Sequence, residues 1–153
     1  MPLDTSQGRI NKYLRVNYPD AQIIGYDTGF FAHCLTNASK LPEGSSSQQY
    51  FGDLRDFPAH FMDGIDGVIH LAAISNDPMG NQFEAITEDI NFKSSLRIAE
   101  LASERSVKSF VFASSCSIYG SAHDGPRKES DSLNPLTAYA RSKVAMEVNR
   151  PVF

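Results

Sequence analysis

Short continuous apolar runs alternate along the chain with segments of helical period. Gln22-Ile23-Ile24-Gly25-Tyr26-Asp27 is an apolar run closing on an acid. Val68-Ile69-His70-Leu71-Ala72-Ala73 is a second, and Val107 to Ser114, centred on Phe110, Val111 and Phe112, is a third. Gln48 to Phe51 reads as a shorter strand closed by Gly52-Asp53. The three main runs are continuous rather than alternating, which predicts strands covered on both faces in a parallel sheet. Ile10, Tyr13, Leu14 and Tyr18 share one face of a helix ended by Pro19-Asp20. Phe83 to Ser103 carries the strongest helical stripe, through Phe92, Leu96, Ile98, Ala99, Leu101 and Ala102. Leu54 to Met62 suggests a short helix limited by Pro58, and Thr137 to Asn149, stopped by Pro151, a further one. Residues 1–9 show no period and read as a disordered leader. Residues 28–47 read as irregular, with Gly44-Ser45-Ser46-Ser47 the most linker-like stretch. Strands alternating with helices over 10–150 give an α/β class with a doubly wound parallel sheet.

Composition narrows the class of partner. Eighteen acidic against fourteen basic residues give a net charge of −4, which argues against a protein whose main work is gripping nucleic acid or an anionic membrane. The apolar runs are far too short to span a bilayer. The opening residues MPLDTSQGRI lack the basic start and apolar run of a secretory signal. Cys34 and Cys116 are too few for a disulfide framework and fit a reducing compartment, so a cytoplasmic protein is expected. His33, His60, His70 and His123 show no ligand spacing, and no metal is expected. His70 reads as a core or crevice-wall residue and Cys116 as packing.

The candidate chemistry lies in Tyr139-Ala140-Arg141-Ser142-Lys143. Residues four apart stack on one helix face. An ammonium held near a phenol favours the phenolate, and a tyrosine so placed can exchange a proton with a substrate hydroxyl. In isolation such a pair is most often a solvated helix surface. Its context raises its value: Ser114-Ser115 ends the third run, and strand C-termini line the ligand crevice of doubly wound sheets. A serine there either shares the substrate oxygen or caps a turn before Gly120.

These segments together resemble the extended short-chain dehydrogenase/reductases, and more narrowly the NAD-dependent sugar-nucleotide epimerase/dehydratase family. The resemblance runs over about residues 10 to 149. It rests on Phe110-Val-Phe-Ala-Ser-Ser-Cys-Ser-Ile-Tyr-Gly120, Asn134-Pro-Leu-Thr-Ala-Tyr-Ala-Arg-Ser-Lys143, Val68-Ile-His-Leu-Ala-Ala73, Asp89-Ile-Asn91, Gly52-Asp53-Leu54 and Ile24-Gly-Tyr-Asp27. It implies a Rossmann-like fold, NAD as cofactor and a nucleotide-sugar substrate. Tyr139 would be the general acid/base for a sugar hydroxyl as hydride passes to the nicotinamide. Lys143 would favour its phenolate and hold the nicotinamide ribose, and Ser115, more than Ser114, would share the hydroxyl. Asp27 would accept the adenosine ribose hydroxyls and favour NAD over NADP. Asp53 and Leu54 would border the adenine, Leu71, Ala72 and Ala73 would run beneath the cofactor, and Asn91 would tie helix to strand. Asp27 also fits a plain turn residue before Gly29, and Asp53 a helix N-cap.

The resemblance also has departures. Gly8 is the only glycine among the first twenty-four residues, so the family's opening strand and glycine-rich pyrophosphate turn have no counterpart. The C-terminal substrate domain is expected to be absent too. The expectation is therefore an incomplete Rossmann domain, lacking its first and last strands and impaired in turnover. The absent first strand would lie between the runs near 24 and 69. Those two would pair directly, leave a wet gap, or borrow a strand from another chain, with a homo-oligomer as one result. Cys116-Ser117 stand where the glucose 4,6-dehydratase branch carries an Asp-Glu pair, which favours epimerase or reductase chemistry. The alternative is a non-catalytic remnant that associates through bare strand edges.

Overall fold

The computed structural model describes residues 6–29, 46–75, 82–121, 125–151 and 153. The chain divides into two compact units, Met1–Asp56 and Phe57–Phe153. Most of the stretch expected to be irregular, and with it Cys34 and His33, lies outside the described residues, as does His123.

In the first unit, helix α1 spans Ser6–Asn17 and so takes in residues 6–9, which the pattern assigns to a leader. Its buried contact is polar. Asn11 is buried and its Nδ2 donates to Ser46 Oγ (3.1 Å), while Arg15 donates to the Ala21 carbonyl (2.7 Å) and to Ser47 Oγ (2.6 Å). Tyr13 and Tyr18, expected on the apolar face, are exposed. Strand β1 (Ile24–Asp27) pairs in parallel with β2 (Gln48–Phe51), with Asp27 opposite Phe51. The short helix expected over Leu54 to Met62 is two 3-10 turns broken around Pro58, Leu54–Asp56 at the end of this unit and Ala59–Met62 in the second.

The second unit is a βαβ arrangement. Strand β3 (Gly67–His70) and β4 (Ser109–Phe112) are parallel, with Gly67 opposite Ser109 and His70 opposite Phe112. Between them runs a helix made of α2 (Glu84–Glu88), a π segment (Asp89–Ser94) and α3 (Ser95–Glu104). It closes on Ser106 at φ +58°, with the Val107 N–H reaching back to the Ala102 carbonyl (2.9 Å). That left-handed cap turns the chain into β4 and buries Val107. Helix α4 (Ala138–Asn149) follows, its N-terminus capped by Thr137, whose Oγ1 accepts from the Ala140 N–H (3.1 Å). Ile98, Ala99 and Ala102 of α3, Ala140 and Met146 of α4, Val107 and Ile118 make the apolar core.

One sequence expectation changes and another narrows. The strands are not covered on both faces. His70 and Phe112 turn toward α3 and α4, whereas Ile69 and Val111, on the opposite face, are exposed. Of the three arrangements left open for the runs near 24 and 69, direct pairing does not occur among the described residues. Hydrogen bonding forms two separate two-stranded sheets, β1 with β2 and β3 with β4. No helix among the described residues is long and apolar enough to cross a membrane.

Candidate active site

The first turn of α4 carries Tyr139 and the next carries Lys143, as the four-residue spacing requires. Lys143 is only 2% exposed. Its Nζ donates to the Ala113 carbonyl (2.7 Å), just beyond β4, and lies 4.5 Å from the centre of the Phe112 ring and 5.4 Å from that of Tyr139. Burial pulls its pKa from 10.5 down to about 8. At neutral pH the group remains a cation, held by one carbonyl and the faces of two rings. Beside it, His70 is buried, its Nε2 sharing a 2.7 Å hydrogen bond with Ser95 Oγ and its ring stacked on Phe112. Burial, and then the charge on Lys143, lower its pKa to about 4, so the imidazole is neutral at pH 7.

The end of β4 supplies the hydroxyl side. Ser115 caps a 3-10 turn over Cys116–Tyr119, its Oγ accepting from the Ser117 N–H (3.3 Å) and Ser117 Oγ (2.9 Å). The turn ends at Gly120, whose φ is +70°. Ser114 Oγ donates to the Glu147 carboxylate of α4. Lys143 is tied to Ala113, two residues before Ser115, so the structure brings Ser115, Tyr139 and Lys143 to the C-terminal end of β4. Of the two readings of Ser115, the turn cap is the one observed. The spacing alone could have pointed to Glu147, one helical turn beyond Lys143. No sequence signal pointed to Ser95.

The remaining candidates are placed as follows. Leu71, Ala72 and Ala73 form no regular strand; they follow β3 as a half-buried segment. Asn91 is fully buried in the π segment. Its Oδ1 accepts from the Ile74 N–H (2.8 Å) and its Nδ2 donates to the Ile74 carbonyl (2.9 Å), which joins helix to strand end. In the first unit, Asp27 ends β1 and its Oδ1 accepts from the Gly29 N–H (2.6 Å), the turn geometry. Asp53 follows β2. Arg55 holds both its oxygens through the backbone N–H (2.9 Å), Nε (3.0 Å) and Nη2 (2.6 Å), and this keeps the carboxyl below its ordinary range. Leu54 is buried. Cys116, expected to pack, is exposed. Among the described residues no group of acids, histidines and cysteines could hold a metal.

Parallel strands, with helix between β3 and β4, place the chain among α/β proteins with Rossmann-like sheets. Residues 15–148 match the model of the NAD dependent epimerase/dehydratase family, and the chain belongs to that family. It is 34% identical over 104 residues to a UDP-glucose 4-epimerase of Lacticaseibacillus casei, covering 64% of this chain and 31% of the relative. It is 32% identical over 128 residues to a dTDP-glucose 4,6-dehydratase of Streptomyces griseus, covering 83% and 39%. Among solved structures, a dTDP-glucose 4,6-dehydratase from Streptomyces venezuelae with NAD bound matches with a TM-score of 0.75 at 25% identity, over 93% of this chain and 46% of that one. The chain spans less than half the length of these relatives.

Proposed function

We propose that this chain carries the Ser-Tyr-Lys half-site of an NAD-dependent sugar-nucleotide epimerase. The observation that carries the proposal is Lys143, a buried ammonium against the Tyr139 ring at the strand end that bears Ser115. Removing an ammonium from water costs several kcal/mol, and a plain packing position is filled better by methionine or leucine. Tyr139 Oη takes the proton of a sugar hydroxyl and returns it, Lys143 holds a positive charge beside its ring, and Ser115 Oγ holds the same hydroxyl. In the second unit, Lys143 fits the ribose of NAD chemically. An ammonium has three donors, and Lys143 spends one on Ala113 among the described residues, which leaves capacity for ribose hydroxyls. Asp27, at the end of a parallel strand, offers a carboxylate to the adenosine ribose. In the first unit, taken by itself, the resemblance assigns Asp53 and Leu54 to the adenine side; in the second it assigns Leu71, Ala72 and Ala73, which follow β3, to the surface beneath the cofactor. When bound, NAD supplies acceptance of a hydride from the carbinol carbon. The matched relatives include both UDP-glucose epimerases and dTDP-glucose 4,6-dehydratases; it is the Cys116-Ser117 pair, in place of the Asp-Glu pair of the dehydratase branch, that supports epimerase or reductase chemistry over 4,6-dehydration.

The partner is then a nucleotide sugar in the cytoplasm, with neither nucleic acid nor membrane as ligand. A second reading, association with another chain as a homo-oligomer, draws on the exposed Ile69 and Val111 of the second sheet.

The test is conversion of UDP-glucose in the presence of NAD, followed by NMR, with calorimetric titration of NAD alongside. Tyr139→Phe should lower the rate at least about 100-fold, the usual worth of a positioned proton carrier, with unchanged circular dichroism. Lys143→Met should weaken NAD binding as well as rate. Conversion that survives Tyr139→Phe, or an inert protein with no affinity for NAD, would overturn the proposal.

A further inference from the structure

Helix α4 grips the end of β4 twice in succession. Lys143 Nζ holds the Ala113 carbonyl (2.7 Å), and one helical turn later the Glu147 carboxylate accepts the hydroxyl of Ser114, the next residue. Residues 143 and 147 share a helix face, while 113 and 114 are consecutive in extended chain. One clamp takes a backbone carbonyl and the other a side-chain hydroxyl, so together they fix both the height and the rotation of the strand end. The residue that follows is Ser115.

We propose that Glu147, through Ser114, is a positioning residue that sets the direction of Ser115 Oγ toward Tyr139. Several observations carry this. Among the described residues, Ser115 is held downstream by the Cys116–Tyr119 turn alone, its Oγ through Ser117 and its carbonyl through the Ile118 N–H (3.3 Å). These bonds orient the turn relative to Ser115 but do not tie it to α4. Ser114 and Glu147 are accessible enough to be costly to order without a partner: Ser114 is exposed and Glu147 half-buried. A hydrogen bond to a carboxylate is the stronger kind, suited to holding a residue at the rim of the core. The effect on Ser115 is geometric. The burial of Lys143 accounts for its own lowered pKa, with no contribution from Glu147. The inference rests on the Ser-Tyr-Lys reading above for its consequence in turnover, but the clamp itself can be measured without cofactor or sugar.

Amide hydrogen exchange of the intact chain tests the clamp. The N–H groups of Ser117, Ile118 and Gly120 are hydrogen-bonded within the turn. Ser114→Ala and Glu147→Ala should each speed their exchange about fivefold, the factor one lost hydrogen bond produces in a local opening equilibrium. The double variant should be no faster than either single one, because both remove the same bond. Glu147→Gln keeps an acceptor and should restore most of the protection. Exchange in β3 should not change. In UDP-glucose turnover, Glu147→Ala should lower kcat about tenfold with KM within about twofold, as misplacement of a reacting group does, and Glu147→Gln should recover it. Additive effects of the two single variants, or unaltered exchange at 117–120, overturn the clamp. Turnover that is absent in the unmodified protein counts against the enzymatic reading alone and leaves the exchange result to decide this one.

Discussion

Lys143 and His70 are two ionisable groups buried within reach of each other's field, and burial disfavours the charged form of both. For His70 the unfolded chain takes up a proton near pH 6.5, while the folded chain resists until about pH 4. More protons bind the unfolded state in that window, so stability falls as pH drops through it. For Lys143 the same inequality holds between about 8 and 10.5, so stability rises with pH there. Either difference corresponds to about 3 kcal/mol at full extent. Urea unfolding as a function of pH should show both slopes, with the acid one flattened in His70→Gln and the alkaline one in Lys143→Met. Gly120 poses a steric question. Its φ of +70° suits glycine, and a Cβ would stand 2.4 Å from the Asn134 carbonyl oxygen. Asn134 cannot easily withdraw, because its N–H is bonded to the Ile118 carbonyl (2.9 Å). Gly120→Ala should therefore cost at least about 2 kcal/mol, read as a lower urea midpoint with an unchanged m-value.

The helix over 84–104 shows how a buried stripe can be polar. Thr87, Asn91, Ser94 and Ser95 are buried in it beside Ile98, Ala99 and Ala102. Each of the first group but Thr87 has a partner among the described residues: Asn91 takes both backbone groups of Ile74, Ser94 Oγ donates to the Asp89 carbonyl (2.9 Å), and Ser95 meets His70. The π segment Asp89–Ser94 is where Asn91 and Ser94 sit, and π-helical turns are rare outside sites with a special demand. Here the demand is to bring the amide of Asn91 onto the chain leaving β3. Asn91→Ala would leave a half-buried N–H and C=O of Ile74 without their partner, at up to about 1–3 kcal/mol each. Chemical denaturation should show a loss of about 2–5 kcal/mol, larger than for a surface alanine substitution on the same helix. An indistinguishable midpoint would mean that water replaces the amide at no cost.

Most of the buried apolar side chains belong to Phe57–Phe153; in Met1–Asp56, Leu54 is the buried hydrophobic among the described residues. A segment of that size with a two-stranded sheet and a small core is marginal by itself. Hydrogen exchange should accordingly be faster at β1 and β2 than at β3 and β4, with α3 and α4 the slowest elements. Equal protection of both sheets would show that the units unfold as one. The exposed Ile69 and Val111 and the open strand edges also predict association that rises with concentration, measurable by light scattering, and Val111→Lys should reduce it without lowering stability.

The parallel α/β class, the helix periods and the strand centres were legible along the chain because each depends on local pattern: apolar runs for β1, β3 and β4, a 3.6-residue stripe for α3, Thr137 and the prolines around α4. Tyr139, Lys143 and Ser115 were legible for a related reason, since a four-residue spacing puts two side chains on one helix face and a strand's last residues lie at its tip. What local pattern could not contain was which faces would be covered and which polar groups would find partners. Continuous apolar runs look the same whether one face or two are packed, so the exposure of Ile69 and Val111 came only with the folded chain. The buried Asn91 and Ser95 and the hold of Glu147 on Ser114 likewise depend on residues 17 to 33 positions apart being brought within a hydrogen bond's length, and the neutral His70 depends on its burial near the charge of Lys143. Periodicity is a property of neighbours along the chain, whereas desolvation and hydrogen-bond partnership are properties of neighbours in space.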